Sequence, residues 1–489
     1  MRVLGISALS HDAAVALVED DEILFAAHSE RYSRVKNDPE LNQELLDDAL
    51  RYGEPDAIAW YERPLLKKTR QLRAGQWHWA TTREDLPRRY LARFGLGSRR
   101  APIRYVRHHE SHAAAGFLTS GFTDAAVITL DGLGEWETTT VSRYRRGHPP
   151  QVVRRQRYPH SLGLLYSAVT QRCGFKPNEE EYIVMGMAAF GAPVHAGAMR
   201  DDLIEHVDGW FRLRRNVHRG IGHWLPGARP EDLAASVQLI TEETIVGLAR
   251  WSRRRVDSPN LVLMGGVALN CVANARIARE AGFDDVHILP NPGDAGSSLG
   301  AALALVGRPA CWRGPYLGHD ICRPFDGRAI LNALLAGEVI GVANGRAEFG
   351  PRALGNRSLL TDPRQRHAKD KVNSIKRREP FRPFAPVVLE HRAHRWFDLV
   401  PARSPYMQFV ARCNDPVGLH SITHVDGTSR VQTVNRQQHR ELFDLLTAFE
   451  AATGCPMLLN TSLNIKGEPL VNTWSDATRF QRRHGIPVF

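Results

Sequence analysis

Twice in its N-terminal third the chain runs a short apolar strand into a turn of small and polar residues and then into further strands. The first pass is "RVLGISALSHDAAVALVEDDEILFAAH", where an acidic turn, Glu19-Asp20-Asp21-Glu22, separates the second and third apolar runs. The second is "DAAVITLDGLGEWETTTVSRYRRG", where the strand ends in Asp131-Gly132, turns through Gly134 and re-enters a Thr- and Val-rich strand. Apolar β-branched runs bounded by such turns predict a β-meander in each segment. The recurrence of one order, strand, turn with a polar residue, hairpin, predicts a duplicated unit.

Two further segments extend the pattern. In "NLVLMGGVALNCVANARIARE" an apolar strand meets Gly265-Gly266 and an Ala-rich helix follows, so backbone N–H groups gather at a helix start where phosphate or ribose can dock. "DDVHILPNPGDAGSSLGAALAL" repeats the design with a Pro/Gly turn carrying Asp294. These segments predict an α/β domain over residues 1–315 with its loops converging at strand ends. The stretch "GRPACWRGPYLGHDICRPFDG" reads as a linker. Beyond it "AILNALLAGEVIGVANGRAEFG" opens a second domain, 325–489, with helix, strand and a Gly/Arg-rich loop.

The chain has 489 residues, too many for one core. Hydrophobic residues at 43% and charged residues at 24% are ordinary for a soluble globular protein, and no apolar run is long enough to span a bilayer. The apolar start breaks at Ser10-His11-Asp12 and reads as a buried strand rather than a signal peptide. Six cysteines without a C-x-x-C pair argue against a disulfide framework or zinc knuckle and fit a reducing cytoplasm. The net charge of +11 is spread along the chain with no basic arm. It favours clefts for phosphorylated substrates over nucleic acid.

The segment "RYVRHHESHAAAGF" places His108 and His112 at i and i+4, which puts two imidazoles on one helix face, a spacing that can bind a metal. The pair alone leaves an ordinary polar helix surface equally open.

The ordered set "HHESHAAAGF", "TLDGLGEWET", "MGGVALN", "NPGDAGSSLGAAL", "EFGPRALGNRSLL", "PFRPFAPVVL" and "LLNTSLNIKGEP" resembles the O-carbamoyltransferase family that includes nodulation protein U and the cephalosporin and tobramycin carbamoyltransferases. The resemblance runs through nearly the whole chain. It implies a duplicated RNase H-like N-terminal domain of the actin and sugar-kinase superfamily and a YrdC-like α/β C-terminal domain. It also implies two reactions. Carbamoyl phosphate and ATP, with Mg, give carbamoyl adenylate in the C-terminal domain. The carbamoyl group then passes to a hydroxyl of a small-molecule natural product in the N-terminal domain.

By the same resemblance His108, His112, Asp131 and Asp294 hold a metal, iron in that family. Two imidazoles and two carboxylates leave Fe(II), Mn(II) and Zn(II) open. His109 and Glu110 are not ligands in the family and fall behind the site or on the surface. His11 and Lys36 match transfer-site residues: a neutral imidazole can take the proton of an attacking hydroxyl, and an ammonium can stabilise the developing oxyanion. Asn270 is expected to contact nucleotide, Gly265 and Gly266 to allow close backbone approach, and Gly134 and Glu135 to touch phosphate or shape their hairpin.

For the second site the sequence offers Arg346, Arg352, Arg357, Lys376, Arg382, Arg430, Asn460 and Ser462. Crowding carbamoyl phosphate against ATP demands Arg forks and a Lys to offset repulsion. Arg352, Lys376, Arg382 and Arg430 match the family's positions first. Two departures stand out: "KPNEEEYIVMGMAAFG" is acidic where some relatives have Gly-Lys, and the chain ends at "RRHGIPVF", short of the family's usual last strand. A tRNA-modifying threonylcarbamoyl enzyme and a non-catalytic nucleotide-binding partner are the rival readings. A homodimer is expected from the superfamily.

Overall fold

The computed structural model describes residues 1–97, 101–379 and 381–489; Pro380 of the "REPFRPFAP" motif lies outside them. Strands β1 (Arg2–Ser7), β2 (Ala14–Glu19) and β3 (Glu22–His28) form an antiparallel meander. β4 (Ala57–Trp60) and β5 (Ile103–Tyr105) add in parallel on the other side of β1, giving the order β3-β2-β1-β4-β5. The second unit repeats this. β6 (Asp124–Leu130), β7 (Glu137–Arg145) and β8 (Gln151–Arg157) make the meander. After a separate hairpin, β9 (Ile204–Val207) with β10 (Trp210–Leu213), β11 (Asn260–Met264) and β12 (Asp285–His287) add in parallel beside β6. The order β12-β11-β6-β7-β8 matches the first sheet strand for strand, so the predicted duplication is present.

Two helices, His108–Thr119 and Gly296–Val306, pack against each other between these sheets. Small residues set their separation. A Cβ on Gly300 would lie 1.7 Å from the Ser111 carbonyl oxygen, and one on Gly5 of β1 would lie 1.9 Å from that of Ser298. Only glycine lets the backbones meet this closely. The consequence is that the turns leaving β6, β11 and β12 and the start of the His108 helix all converge.

The remaining strands are β13 (Tyr316–Ile321), β14 (Ile340–Ala343), β15 (Gly345–Glu348), β16 (Arg357–Thr361), β17 (Ala385–Leu389), β18 (Phe397–Asp398), β19 (Phe409–Cys413), β20 (Thr428–Val434) and β21 (Met457–Ser462). Seven form a mixed sheet, β14-β16-β21-β17-β20-β19-β18, with its own apolar core. Two expectations are revised here. Part of the expected linker is strand β13, paired with β15, because Leu317 buries in the core of the first domain and Ile321 in that of the second. The Gly/Arg-rich loop is shorter than expected, residues 349–356, with β15 and β16 on either side of it. The last residues pair along the sheet: Gly341 N–H donates to Pro487 O at 2.8 Å and Ala343 N–H to Phe489 O at 2.8 Å. Among the described residues no helix is long and apolar enough to cross a membrane, and all six cysteines are free.

Candidate metal centre and anion cavity

The His108–Thr119 helix begins where β5 ends, and its first turn points both imidazoles at the turns after β6 and β12. His108 Nε2 and His112 Nε2 lie 3.1 Å apart. Asp131 Oδ2 lies 3.2 Å from His108 Nε2, and Asp294 Oδ1 lies 3.5 Å and 3.4 Å from the two imidazole nitrogens. All four donor atoms fall within 4.8 Å of one another. Donors bound to one cation at about 2.1 Å stand about 3.0–3.4 Å apart, so the set fits a divalent ion.

Tautomer and charge agree with that fit. His112 Nδ1–H donates to the Pro292 carbonyl at 3.0 Å, which leaves a lone pair on Nε2 facing inward. Burial opposes charge on His108, but Asp294 and Asp131 overcome it and raise its pKa to about 9. Asp131 is lowered despite burial, by the hydrogen bond to His108 and the charges of both histidines. A buried cluster that draws a proton onto an imidazole has a local potential that attracts a cation.

Neighbouring residues hold this geometry. Glu135, buried, accepts from the N–H groups of Arg63 at 2.8 Å and His108 at 3.0 Å, closing the N-terminus of the helix whose N-cap, Arg107, offers no side-chain acceptor. A Cβ on Gly134 would come 2.8 Å from His108 Cδ2. Gly266 N–H donates to Asp131 Oδ1 at 3.0 Å, and Gly265, at φ +92°, passes the Leu130 carbonyl where a Cβ would sit 2.1 Å away. Gly134, Glu135, Gly265 and Gly266 thus brace the donor set. His109 is buried and bonded to Thr140 Oγ1 at 3.1 Å; burial and the adjacent His108 push its pKa well down. Glu110 is exposed. Asn270 caps the Cys271–Glu280 helix, accepting from Ala273 N–H at 3.0 Å and exchanging hydrogen bonds with Gln238.

His11 has a buried Nε2 without a partner. Next to it Asp12 is hydrogen-bonded to His28 Nδ1 at 3.0 Å, and His28 Nε2 accepts from Asn291 Nδ2 at 3.0 Å, on the loop that leads to Asp294. Lys36 Nζ is paired with Glu30 at 2.8 Å.

The second cluster is a cavity of about 400 Å3 between the two parts of the chain. Arg352, Arg382, Arg430, Asn460 and Ser462 line it, facing Tyr182, Gln238 and Cys271 of the first domain. Arg378, which sequence reasoning passed over, lines it too and stacks on Phe384 at 4.1 Å. Burial, then the neighbouring guanidiniums, lower Arg352 to about 9 and Arg378 to about 8, the mark of positive charge lacking a counter-ion. Asn460 keeps a buried, unpartnered Oδ1.

Three expected members lie elsewhere. Arg357 spends its donors on the carbonyls of Asn472, Asn344, Gly345, Asn356 and His319. Arg346 binds Leu24, Leu317 and Gly318 carbonyls, riveting β15 to the first domain. Lys376 stands behind the cavity wall, its Nζ donating to Ser462 O and Oγ and to Asn464 O and Oδ1 at 2.6–3.0 Å. Each is a cation already satisfied by protein oxygens. The acidic stretch also turns inward: Glu181 accepts from Ser167 Oγ and Asn178 N–H, while Tyr182 and Met185 face the cavity.

A duplicated α/β domain with a four-donor centre is joined to a second domain whose arginines converge on the cavity between the two. Residues 90–303 match the carbamoyltransferase N-terminus model and residues 331–489 the carbamoyltransferase C-terminus model. An uncharacterized protein of Synechocystis sp. is 35% identical over 98% of this chain and 93% of its own length. Nodulation protein NolNO of Sinorhizobium fredii is 34% identical over 96% of this chain and 76% of its own. The 3'-hydroxymethylcephem-O-carbamoyltransferase of Amycolatopsis lactamdurans is 29% identical over 97% and 95%. The chain belongs to the carbamoyltransferase family and is a carbamoyltransferase.

Proposed function

We propose that the chain is an ATP-dependent O-carbamoyltransferase that makes carbamoyl adenylate from carbamoyl phosphate in a YrdC-like domain, about 325–489. It then carbamoylates a hydroxyl of a small-molecule natural product in the domain 1–315. The observation that carries this reading is the cavity: four arginines converge where the two domains meet, and among the described residues only Arg382 is paired with a carboxylate, Glu379 at 3.4 Å, which leaves positive charge for more than one phosphate group. Arg352, Arg378, Arg382 and Arg430 bind phosphate oxygens there, and Asn460 Oδ1 is free to accept from the carbamoyl NH2.

In the transfer domain, His108, His112, Asp131 and Asp294 hold the divalent ion, Fe(II) by family resemblance. Once bound, that ion neutralises charge on phosphate and carbonyl oxygens. His11, with its unpartnered Nε2, accepts the proton of the attacking hydroxyl. Lys36, steadied by Glu30, faces the developing oxyanion. The test is to supply ATP, Mg, carbamoyl phosphate and a panel of hydroxylated natural products to the Fe(II)-loaded protein and read products by mass. Addition of one carbamoyl group, with pyrophosphate release that requires carbamoyl phosphate, is expected. Pyrophosphate release that requires threonine and bicarbonate instead overturns it.

A further inference from the structure

One pair of cavity residues has no place in the scheme above. His424 and Asp426 lie in the turn before β20 and both line the cavity. His424 is 9% exposed, and its Nε2 is buried with no partner. Its Nδ1 faces Asp426 Oδ1 at 3.6 Å. Hydrogen bonds close the turn: His424 N–H donates to Thr428 O at 2.8 Å, and Asp426 Oδ1 accepts from Thr428 N–H at 2.9 Å and Oγ1 at 2.7 Å. Phe190 of the first domain packs edge-on against the imidazole, with centroids 5.5 Å apart. Partial burial raises the Asp426 carboxyl, but the bonds from His424 and Thr428 outweigh this and hold it at about 2. A carboxylate 3.6 Å from Nδ1 favours the ring proton on that side by its charge, which leaves the Nε2 lone pair free to act as a base. Among the described residues lining the cavity, His424 is the one imidazole.

Atom balance gives that base a task. Carbamoyl adenylate and pyrophosphate account for the carbamoyl group and all of ATP, so the phosphoryl group of carbamoyl phosphate needs another acceptor, and water is the one at hand. We propose that His424, oriented by Asp426, is the catalytic base for water attack on the phosphorus of carbamoyl phosphate. This rests on the adenylate reading above. The water oxygen bonds to phosphorus as the bond to the bridging oxygen breaks. That oxygen leaves with the carbamoyl carbon as carbamate, and the water proton passes to Nε2 and then to the departing phosphate or solvent. A carbamate oxygen then attacks the α-phosphorus of ATP, the α–β bridge breaks and pyrophosphate leaves. The four arginines offset the charge in both steps.

The experiment measures ATP-dependent pyrophosphate release by the full chain with two donors, carbamoyl phosphate and ammonium carbamate. His424→Gln is expected to lose at least about 100-fold with carbamoyl phosphate, while carbamate supports release within about 3-fold of wild type. Asp426→Asn loses about 10-fold with carbamoyl phosphate alone. Equal losses with both donors, or none with carbamoyl phosphate, overturn the proposal. A second measurement needs no variant: in 18O-water the wild-type protein is expected to place label in inorganic phosphate, and label in the carbamoyl oxygen with unlabelled phosphate overturns it. A wild-type protein that releases no pyrophosphate with either donor overturns the adenylate reading itself, and this inference with it.

Discussion

The Glu135 carboxylate occupies the position of a helix cap although it comes from a distant turn. Replacing it with alanine strands the N–H groups of Arg63 and His108, the latter buried, and releases the first turn of the helix that carries both imidazoles. Glu135→Ala is expected to cost about 1–3 kcal/mol and to weaken metal retention, read by thermal melting and by metal content after dialysis. Glu135→Gln, which keeps an acceptor, recovers most of the stability; equal melting of all three proteins refutes the assignment. Asp12 supports a pH prediction. Burial raises its carboxyl, yet the neighbouring His28 brings it down to about 2 from 3.8. A depressed carboxyl contributes stability above its unfolded value that drains away as pH falls through the folded one. Between about pH 4 and pH 2 the wild type is therefore expected to lose on the order of 2 kcal/mol that Asp12→Asn lacks throughout, measured by denaturant melts across that range. Single residues were unevenly legible. His108 and His112 announce themselves by spacing, whereas Asp131 and Asp294 needed a family resemblance because no local pattern links them. Arg357 and Arg378 look alike in sequence; only the fold decides that carbonyls saturate one and leave the other facing a cavity.

Element order was more legible than element contact. The two meanders, the Gly265-Gly266 turn and the Asp294 turn all sit where periodicity put them, because short β-branched runs broken by Gly, Pro and Asp have few alternatives. Strand β13 hid in a Pro- and Gly-rich stretch, since a strand whose partner is β15 draws its stability from pairing rather than from its own composition. The central helix pair depends on a contact that sequence shows only as "small residues". Gly300→Ala forces a Cβ to 1.7 Å from the Ser111 carbonyl, so the His108 helix must shift. A loss of about 3 kcal/mol or more, with reduced metal content, is expected in melting experiments. Gly197→Ala, in the Ala196–Asp202 helix with open space around the new methyl, is the control and is expected to be neutral or to stabilise by up to about 1 kcal/mol. Equal destabilisation by both changes would mean that the close approach is not what sets the helix separation.

At the scale of the whole molecule the two clusters are joined by one short loop. Phe349 packs on His28 with centroids 5.3 Å apart, the Gly350 carbonyl accepts from Arg31 Nη2 at 2.9 Å, and a Cβ on Gly350 would lie 2.7 Å from the Pro290 carbonyl oxygen. Two residues further on, Arg352 enters the cavity, and Pro290 opens the loop that ends in Asp294. The loop thus fixes the cavity against the metal centre while the two keep separate side chains, so single substitutions should divide the reaction. His112→Ala is expected to drop metal content below about one tenth and abolish carbamoyl transfer while pyrophosphate release persists, because neither His108 nor His112 lines the arginine cavity. Arg352→Ala is expected to cut pyrophosphate release about 100-fold or more with metal content unchanged. A mixture of the two variants then asks how the intermediate travels. If it leaves the protein freely, one variant supplies the other and transfer returns. The tight packing of Phe349 and Gly350 predicts instead that the intermediate passes within one chain and that the mixture stays below about a tenth of wild-type transfer at dilute protein. Full recovery on mixing would show the two clusters to be independent enzymes that share a polypeptide.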